Sequence, residues 1–261
     1  KNMKLNFLKY QGTGNDFVMV DAWNDVMVLS NDQVAFLCDR RFGVGADGLM
    51  IIRRHPELDF EMIYYNADGA PGSMCGNGGR CIVRYAFDQG YIGKETRFMA
   101  SDGPHEALVI DPLTVSLKMA EVQQVEERGK DLFLNTGSPH YIRFAEHADL
   151  LNIEEEGRKI RYNDEFREKG TNVNFVEQRG TELFVRTYER GVEAETLSCG
   201  TGVTAAALAM AYVNKTVGSS STGIITPGGQ LKIKYNYKDN RFTDIWLEGP
   251  ATFVYKGTIE I

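Results

Sequence analysis

Two short stretches place a cysteine where a helix is about to begin. Met74-Cys75-Gly76-Asn77-Gly78 opens a helical pattern over 76–89 that Gly90 stops, and Ser198-Cys199-Gly200-Thr201-Gly202 opens another over 200–214. A thiol at the first turn of a helix meets the positive end of the macrodipole, which favours the thiolate and draws the pKa below the free value of ~8.5. The glycines let the backbone approach a ligand closely, and the N–H groups of the turn form an anion site suited to a carboxylate or a phosphate. Each stretch thus offers one reactive sulfur beside one anion cradle. Facing each other, the two would grip a carboxylate between two helix ends and set a thiol on either side of the carbon attached to it. That arrangement suits inversion at a carbon next to a carboxylate. One thiolate removes the α-proton and the opposite thiol supplies a proton from the other face, while N–H dipoles meet the charge that develops on the carboxylate. The chemistry requires no cofactor, and no pyridoxal signature is seen.

The elements that position these cysteines are themselves repeated. Gly14-Asn15-Asp16-Phe17-Val18 starts 61 residues before Cys75, and Gly137-Ser138-Pro139-His140-Tyr141 starts 62 before Cys199; the two cysteines are 124 apart. Self-similarity at so long a period denotes two equivalent domains, not a solenoid. Apolar and aromatic runs bounded by Gly, Asn or Pro predict strands at 5–10, 17–21, 49–53, 60–65, 97–100, 107–110 and 115–119 in the first half. The second half repeats the scheme at 132–135, 141–144, 173–177, 183–188, 231–237, 243–247 and 252–259. Short helices are predicted at 31–39, with Asn31 as N-cap, and at 147–155. The polar stretch 121–130 reads as the linker, so the halves are 1–119 and 120–250, with the closing strand 251–261 a candidate to join the first. The helix after Cys199 is apolar on every side, as a helix enclosed by other structure must be.

Composition removes other classes. Lys and Arg number 29 against 36 Asp and Glu, a net charge of −7, and basic residues cluster only in pairs such as Arg40-Arg41, which argues against a nucleic-acid partner. The longest wholly apolar run, 205–213, is far short of the ~18 residues of a membrane span. No secretory leader is seen, and four cysteines in 261 residues suit a reduced, cytoplasmic setting better than a disulfide framework. Cys38 and Cys81 read as small buried hydrophobes. Cys75 and Cys81 lack the second pair that a zinc site needs, so no metal is expected. Gly43-Val44-Gly45-Ala46-Asp47-Gly48 fits a dinucleotide fingerprint in letters only, because a strand follows it where a helix should.

Asn66-Ala67-Asp68-Gly69, the stretch Met74 through Cys81, Tyr188-Glu189-Arg190-Gly191 and Cys199-Gly200-Thr201-Gly202 together resemble diaminopimelate epimerases, as do Gly12-Thr13-Gly14-Asn15-Asp16-Phe17 and the run from Gly43 to Gly48. The resemblance implies a pyridoxal-independent isomerase that interconverts LL- and meso-2,6-diaminopimelate for lysine and cell-wall synthesis. It implies an α/β fold of two pseudo-symmetric domains, each a curved, mostly antiparallel sheet wrapped around a central helix, with the site in the interdomain cleft, and a homodimer. Cys75 and Cys199 match the catalytic pair. Gly76, Asn77, Gly200 and Thr201 match the carboxylate cradle, and Asn15, Asn66, Asn172, Glu189 and Arg190 match further substrate contacts. Arg190 would then pair with the distal carboxylate and Glu189 with an ammonium. His140 and Glu189 match residues that tune the catalytic thiols. Two positions depart from the pattern: Ser138 stands where an asparagine binds substrate, and Gly48 where some members have glutamine. A proline-type racemase of the same fold and a non-enzymatic carboxylate-binding module are the competing readings.

Overall fold

The protein is described by a computed structural model covering residues 3–261; Lys1 and Asn2 lie outside the described residues. The chain divides into two compact units. One runs up to Leu117 and takes in Gly249–Ile261, and the other is Lys118–Glu248.

In the first unit β1 (Lys4–Gly12) and β2 (Asn15–Asp21) are followed by α1 (Asn31–Cys38), β3 (Gly48–Arg53), β4 (Phe60–Asn66), α2 (Gly76–Asp88), β5 (Glu95–Ala100), β6 (Gly103–Val109) and β7 (Thr114–Lys118). The second unit holds β8 (Glu126–Arg128), β9 (Asp131–Asn135), β10 (Pro139–Phe144), a 3-10 turn at Ala148–Leu150, α3 (Ile153–Arg161), β11 (Asn172–Arg179), β12 (Glu182–Glu189), β13 (Ala194–Thr196), α4 (Gly200–Val213), β14 (Gly218–Thr226), β15 (Gly229–Lys238) and β16 (Arg241–Pro250). The last strand, β17 (Thr252–Glu260), returns to the first unit.

Strand pairing shows the duplication directly. The first sheet runs β17-β1-β2-β3-β4-β5-β6-β7, antiparallel except at β2–β3 and β4–β5. The second runs β8-β9-β10-β11-β12-β14-β15-β16, antiparallel except at β10–β11 and β12–β14. A parallel step needs a crossover connection, and each unit supplies two: α1 and α2 in the first, α3 and α4 in the second. The second crossover of each unit is the helix that begins at a cysteine. These helices are also the centre of each unit. α2 packs on β1, β2, β3, β6 and β17, and α4 on β9, β10, β11, β12, β14 and β15.

Packing explains why the two helices differ in composition. Val203, Ala205, Ala206, Ala207, Leu208 and Ala209 of α4 are completely buried amid Leu134, Ile142, Val185, Ile224, Ile233 and Leu247 of the strands. Short alanines let the sheet close tightly on the helix, and each buried methyl(ene) group contributes about 0.8 kcal/mol. In α2 the enclosed residues include Cys81, Ile82, Val83, Tyr85 and Ala86, with Tyr85 edge-on to Tyr10 of β1 at 5.7 Å between ring centroids. Cys38 and Cys81 are buried thiols pushed up by desolvation to about 11 and about 12, so both stay protonated at neutral pH.

Three local expectations are corrected. The cap of α1 is Ser30, not Asn31: Ser30 Oγ accepts from Gln33 N–H while Gln33 Oε1 accepts from Ser30 N–H, a reciprocal capping box. The helix expected at 147–155 begins only at Ile153, because Asn152 Oδ1 accepts from Glu155 N–H and His147 sits at φ 55, outside helical space. The linker 121–130 contains β8, and β14 was not anticipated at all.

Candidate active site

Each unit carries one cysteine-capped candidate site at the N-terminus of its central helix. Cys75 is the N-cap of α2, in extended conformation (φ −120, ψ 156), and its Sγ accepts a hydrogen bond from Gly78 N–H at 3.3 Å. Sulfur takes the place of the usual capping oxygen, and donation to it favours the charged form. Around it, Asn15 Nδ2 donates to Asp47 Oδ2 at 2.7 Å. That bond turns Asn15 Oδ1 toward Cys75 Sγ at 4.0 Å and Asn77 Nδ2 at 3.5 Å. Asp47 shares Arg40 with Asp16, and Lys9 bonds Asp16 at 2.8 Å. Burial raises the Asp16 carboxyl, but the hydrogen bonds from Arg40 and Lys9 outweigh it and hold the group far below the usual carboxylate range. Two cations and two carboxylates thus pin the start of β2, which carries Asn15. Gly76 and Asn77 form the first turn of α2 and are buried. Asn66 stands outside this bonded cluster, exposed at the end of β4, where its backbone N–H closes a turn onto Ala70 O.

The second half is organised by a relay. Cys199 is the N-cap of α4, and its Sγ lies 3.5 Å from Thr201 Oγ1. Thr201 Oγ1 lies 2.8 Å from His140 Nε2, and His140 Nδ1 lies 3.0 Å from Asn174 Nδ2. Asn174 Oδ1 accepts from Thr187 Oγ1 at 2.9 Å and its Nδ2 also donates to Tyr141 O at 3.2 Å. The amide orientation is therefore fixed, and its remaining N–H points at His140 Nδ1. That nitrogen accepts, so the ring proton sits on Nε2 and is donated to Thr201 Oγ1. The threonine hydroxyl is left to donate to Cys199 Sγ, which favours the thiolate. His140 is completely buried; burial, with the charge of Arg190 second, drives its pKa down to about 3, and the ring is neutral throughout the physiological range.

The remaining expected residues cluster at the end of β12. Glu189 is its last residue, half-buried, and Arg190 follows, exposed. Arg190 N–H donates to Asn172 Oδ1 at 2.8 Å, and its Nη1 donates to Lys169 O at 3.0 Å. Asn172 is buried and its Nδ2 donates to Ser138 Oγ at 2.8 Å and Pro139 O at 3.1 Å. Both amide hydrogens are engaged, so Asn172 acts as the brace of Arg190. Ser138, the first departure from the family pattern, holds that brace in place. At Gly48, the second departure, a Cβ would lie 2.5 Å from the ring of Tyr64, so Tyr64 occupies the space a side chain would need.

Sequence reasoning missed Asn174, Thr187 and Asp47. Asn174 lies two residues after Asn172 on β11, hence on the same face of the strand, and that period is the one signal pointing to it. Nothing in the sequence marks Thr187, which reaches the relay only through the β11–β12 register.

The buried histidine makes stability depend on pH. The unfolded imidazole binds a proton near pH 6.5 and the folded one only near pH 3. Between those values the unfolded state carries the extra proton, so stability is complete above about 6.5 and falls as the pH drops toward about 3. The effect is worth at most about 5 kcal/mol over the whole window. Urea midpoints at pH 7 and pH 4.5 should fall more steeply for the wild type than for His140→Asn; equal slopes would remove His140 as the cause.

The comparisons with known proteins agree with this geometry. The family model for diaminopimelate epimerase matches residues 7–125 and 132–254. The chain is 46% identical over 259 residues to the diaminopimelate epimerase of Flavobacterium psychrophilum, covering 98% of this chain and 100% of that one. It is 42% identical to that of Chlorobaculum tepidum, covering 96% and 99%. Among solved structures it resembles a Bacillus anthracis phenazine biosynthesis protein of the PhzF family (TM-score 0.77, 13% identity, 99% of each chain). It also resembles an Agrobacterium vitis hydroxyproline epimerase with bound trans-4-hydroxy-L-proline (TM-score 0.70, 14% identity, 99% of this chain and 93% of that one). These two likenesses concern the fold. Two cysteine-capped helices in a duplicated fold, together with matches along nearly the whole chain, establish that this protein belongs to the diaminopimelate epimerase family.

Proposed function

We infer that the protein interconverts LL- and meso-2,6-diaminopimelate by proton transfer between the α-carbon and the sulfurs of Cys75 and Cys199, with no cofactor and no metal. The observation that carries this reading is the equivalence of the two cysteines: each caps the second crossover helix of the same topology. In this reading both sulfurs serve one α-carbon, each on one of its faces. One cysteine enters as thiolate and takes the α-proton, its S–H bond forming as the C–H bond breaks. The electron pair delocalises into the carboxylate, where the first-turn N–H groups of Gly76, Asn77, Gly200 and Thr201 stabilise it. The opposite thiol then gives its proton to the other face, and the two sulfurs have exchanged protonation states.

The other residues take roles that suit their positions. Thr201, oriented by neutral His140, donates to the Cys199 thiolate, and Glu189 both tunes that thiol and receives the distal ammonium. Arg190, braced by Asn172, pairs with the distal carboxylate, while Asn15 and Asn66 complete the contacts from the first unit. A cytoplasmic homodimer is part of the same proposal. Among the described residues no helix is long and apolar enough to cross a membrane.

Incubating the reduced enzyme with LL-diaminopimelate in deuterated water tests the reaction. Conversion to the meso form with solvent deuterium at the inverted α-carbon is expected, and proline should not turn over. Unlabelled, uninverted substrate would overturn the reading. Turnover of proline instead would favour the racemase alternative.

A further inference from the structure

Arg80 is the largest side chain that the chain buries completely. It lies on α2, one turn after Gly76, and its guanidinium donates to Gly76 O at 3.1 Å, Asn77 Oδ1 at 3.0 Å, Thr13 Oγ1 at 3.4 Å and Pro250 O at 3.3 Å. All four acceptors are neutral. A guanidinium withdrawn from water ordinarily faces a carboxylate, because an unpaired buried charge is costly. Burial brings its pKa down to about 10, which still leaves it charged at neutral pH. The titratable groups that its charge feels are the thiols of Cys81 and Cys75. Cys81 is buried and pushed up to about 12, so it is no counter-ion. Cys75 remains, at the N-cap of the same helix.

Among the described residues, the other charges of α2 and the elements around it are mostly partnered: Asp21 of β2 accepts from the hydroxyls of Tyr85 and Tyr91, and Glu106 of β6 pairs with Arg97, while Lys4 of β1 is exposed. Lys9 and Arg40 are matched by Asp16 and Asp47, Arg84 by Asp88, Arg53 by Glu61 and His105 by Asp102. Lys256 and Glu260 of β17 are exposed. Arg80 is a buried cation whose charge reaches Cys75. It also acts through Asn77. With Asn77 Oδ1 taken by Arg80 and by Thr13 Oγ1 at 3.1 Å, the amide is turned so that Nδ2 faces Asn15 Oδ1 beside Cys75.

We propose that Arg80 is a positioning residue of the first half-site, which supplies the positive charge that keeps Cys75 ionisable at neutral pH and locks the amide of Asn77 toward it. The proposal rests on Cys75 being a working thiol, and its test does not use the epimerisation. Iodoacetamide alkylation of Cys75 is followed against pH by peptide mass spectrometry in the wild type and in Arg80→Met, with Cys199 in the same samples as reference. Arg80→Met should move the Cys75 midpoint upward and slow its alkylation at pH 7 at least tenfold, with Cys199 unchanged. A folded Arg80→Met with the wild-type Cys75 profile would overturn the proposal. If that variant does not fold, Arg80→Gln, which removes the charge but keeps an amide donor for the same acceptors, is read in its place with the same two outcomes. Loss of the deuterium exchange described above, with these profiles as expected, would instead indict the reaction.

Discussion

Cys75→Ala and Cys199→Ala each lower inversion by about a thousandfold or more while the protein stays folded. General acid or base catalysis by one positioned group contributes about 10²–10⁴-fold, and inversion needs both groups, since each serves one face of the carbon. Losing either sulfur therefore stops the net reaction in both directions. The structural cost differs between the two sites. Cys75 Sγ caps α2 through Gly78 N–H, so alanine there costs about 1 kcal/mol of stability. Cys199 makes no such cap bond to α4, and alanine there should leave the melting temperature almost unmoved. Rates measured from both isomers, beside melting curves, check this. More than a tenth of wild-type turnover in either variant would take that sulfur out of the chemistry.

The second large effect comes from adding one methyl group. At Gly202 a Cβ would lie 2.4 Å from Asn174 Oδ1, 3.3 Å from His140 Cε1 and 3.4 Å from Cys199 Cβ. Asn174 is completely buried and tied to Thr187, Tyr141 and His140, so it has nowhere to retreat. Overpacking of this kind costs about 1–3 kcal/mol. A displacement of about 1 Å at the histidine can cost about 10²-fold in rate. Gly202→Ala should therefore lose both stability and turnover. Gly93→Ala, in open space and at an ordinary φ, should change neither by a measurable amount. Urea midpoints and kcat for the pair make the comparison, and a Gly202→Ala enzyme indistinguishable from wild type would show that the relay is loose.

Much of this architecture was legible in the sequence because the fold is written twice. The Cys-Gly-x-Gly stretches, each at its offset from an earlier glycine turn, located the duplicated helices, and apolar and aromatic runs bounded by Gly, Asn or Pro located most strands. What stayed hidden has a physical pattern. β14 begins Gly-Ser-Ser-Ser-Thr-Gly, the composition of a loop, and is a strand because β15 pairs with it along its length. α3 starts later than the expected 147–155 because Asn152 caps it through Glu155 N–H. In the candidate site, residues beside the cysteines in sequence were easy to name. Those delivered by tertiary structure, such as Asn174, Asp47 and the acceptors around Arg80, were not. Ser138 shows the converse: read as a weakened substrate contact, it proves to be a partner of Asn172.

The return of β17 to the first unit has a consequence for refolding. β17 pairs with β1 from Lys4↔Glu260 to Gln11↔Thr252, so the first unit closes only by a pairing that spans nearly the whole described chain. The second unit, Lys118–Glu248, is contiguous and closes without that long-range step. Until β17 docks, β1 offers a bare edge to any other strand, and refolding at high protein concentration should lose material through the first unit while the second is sound.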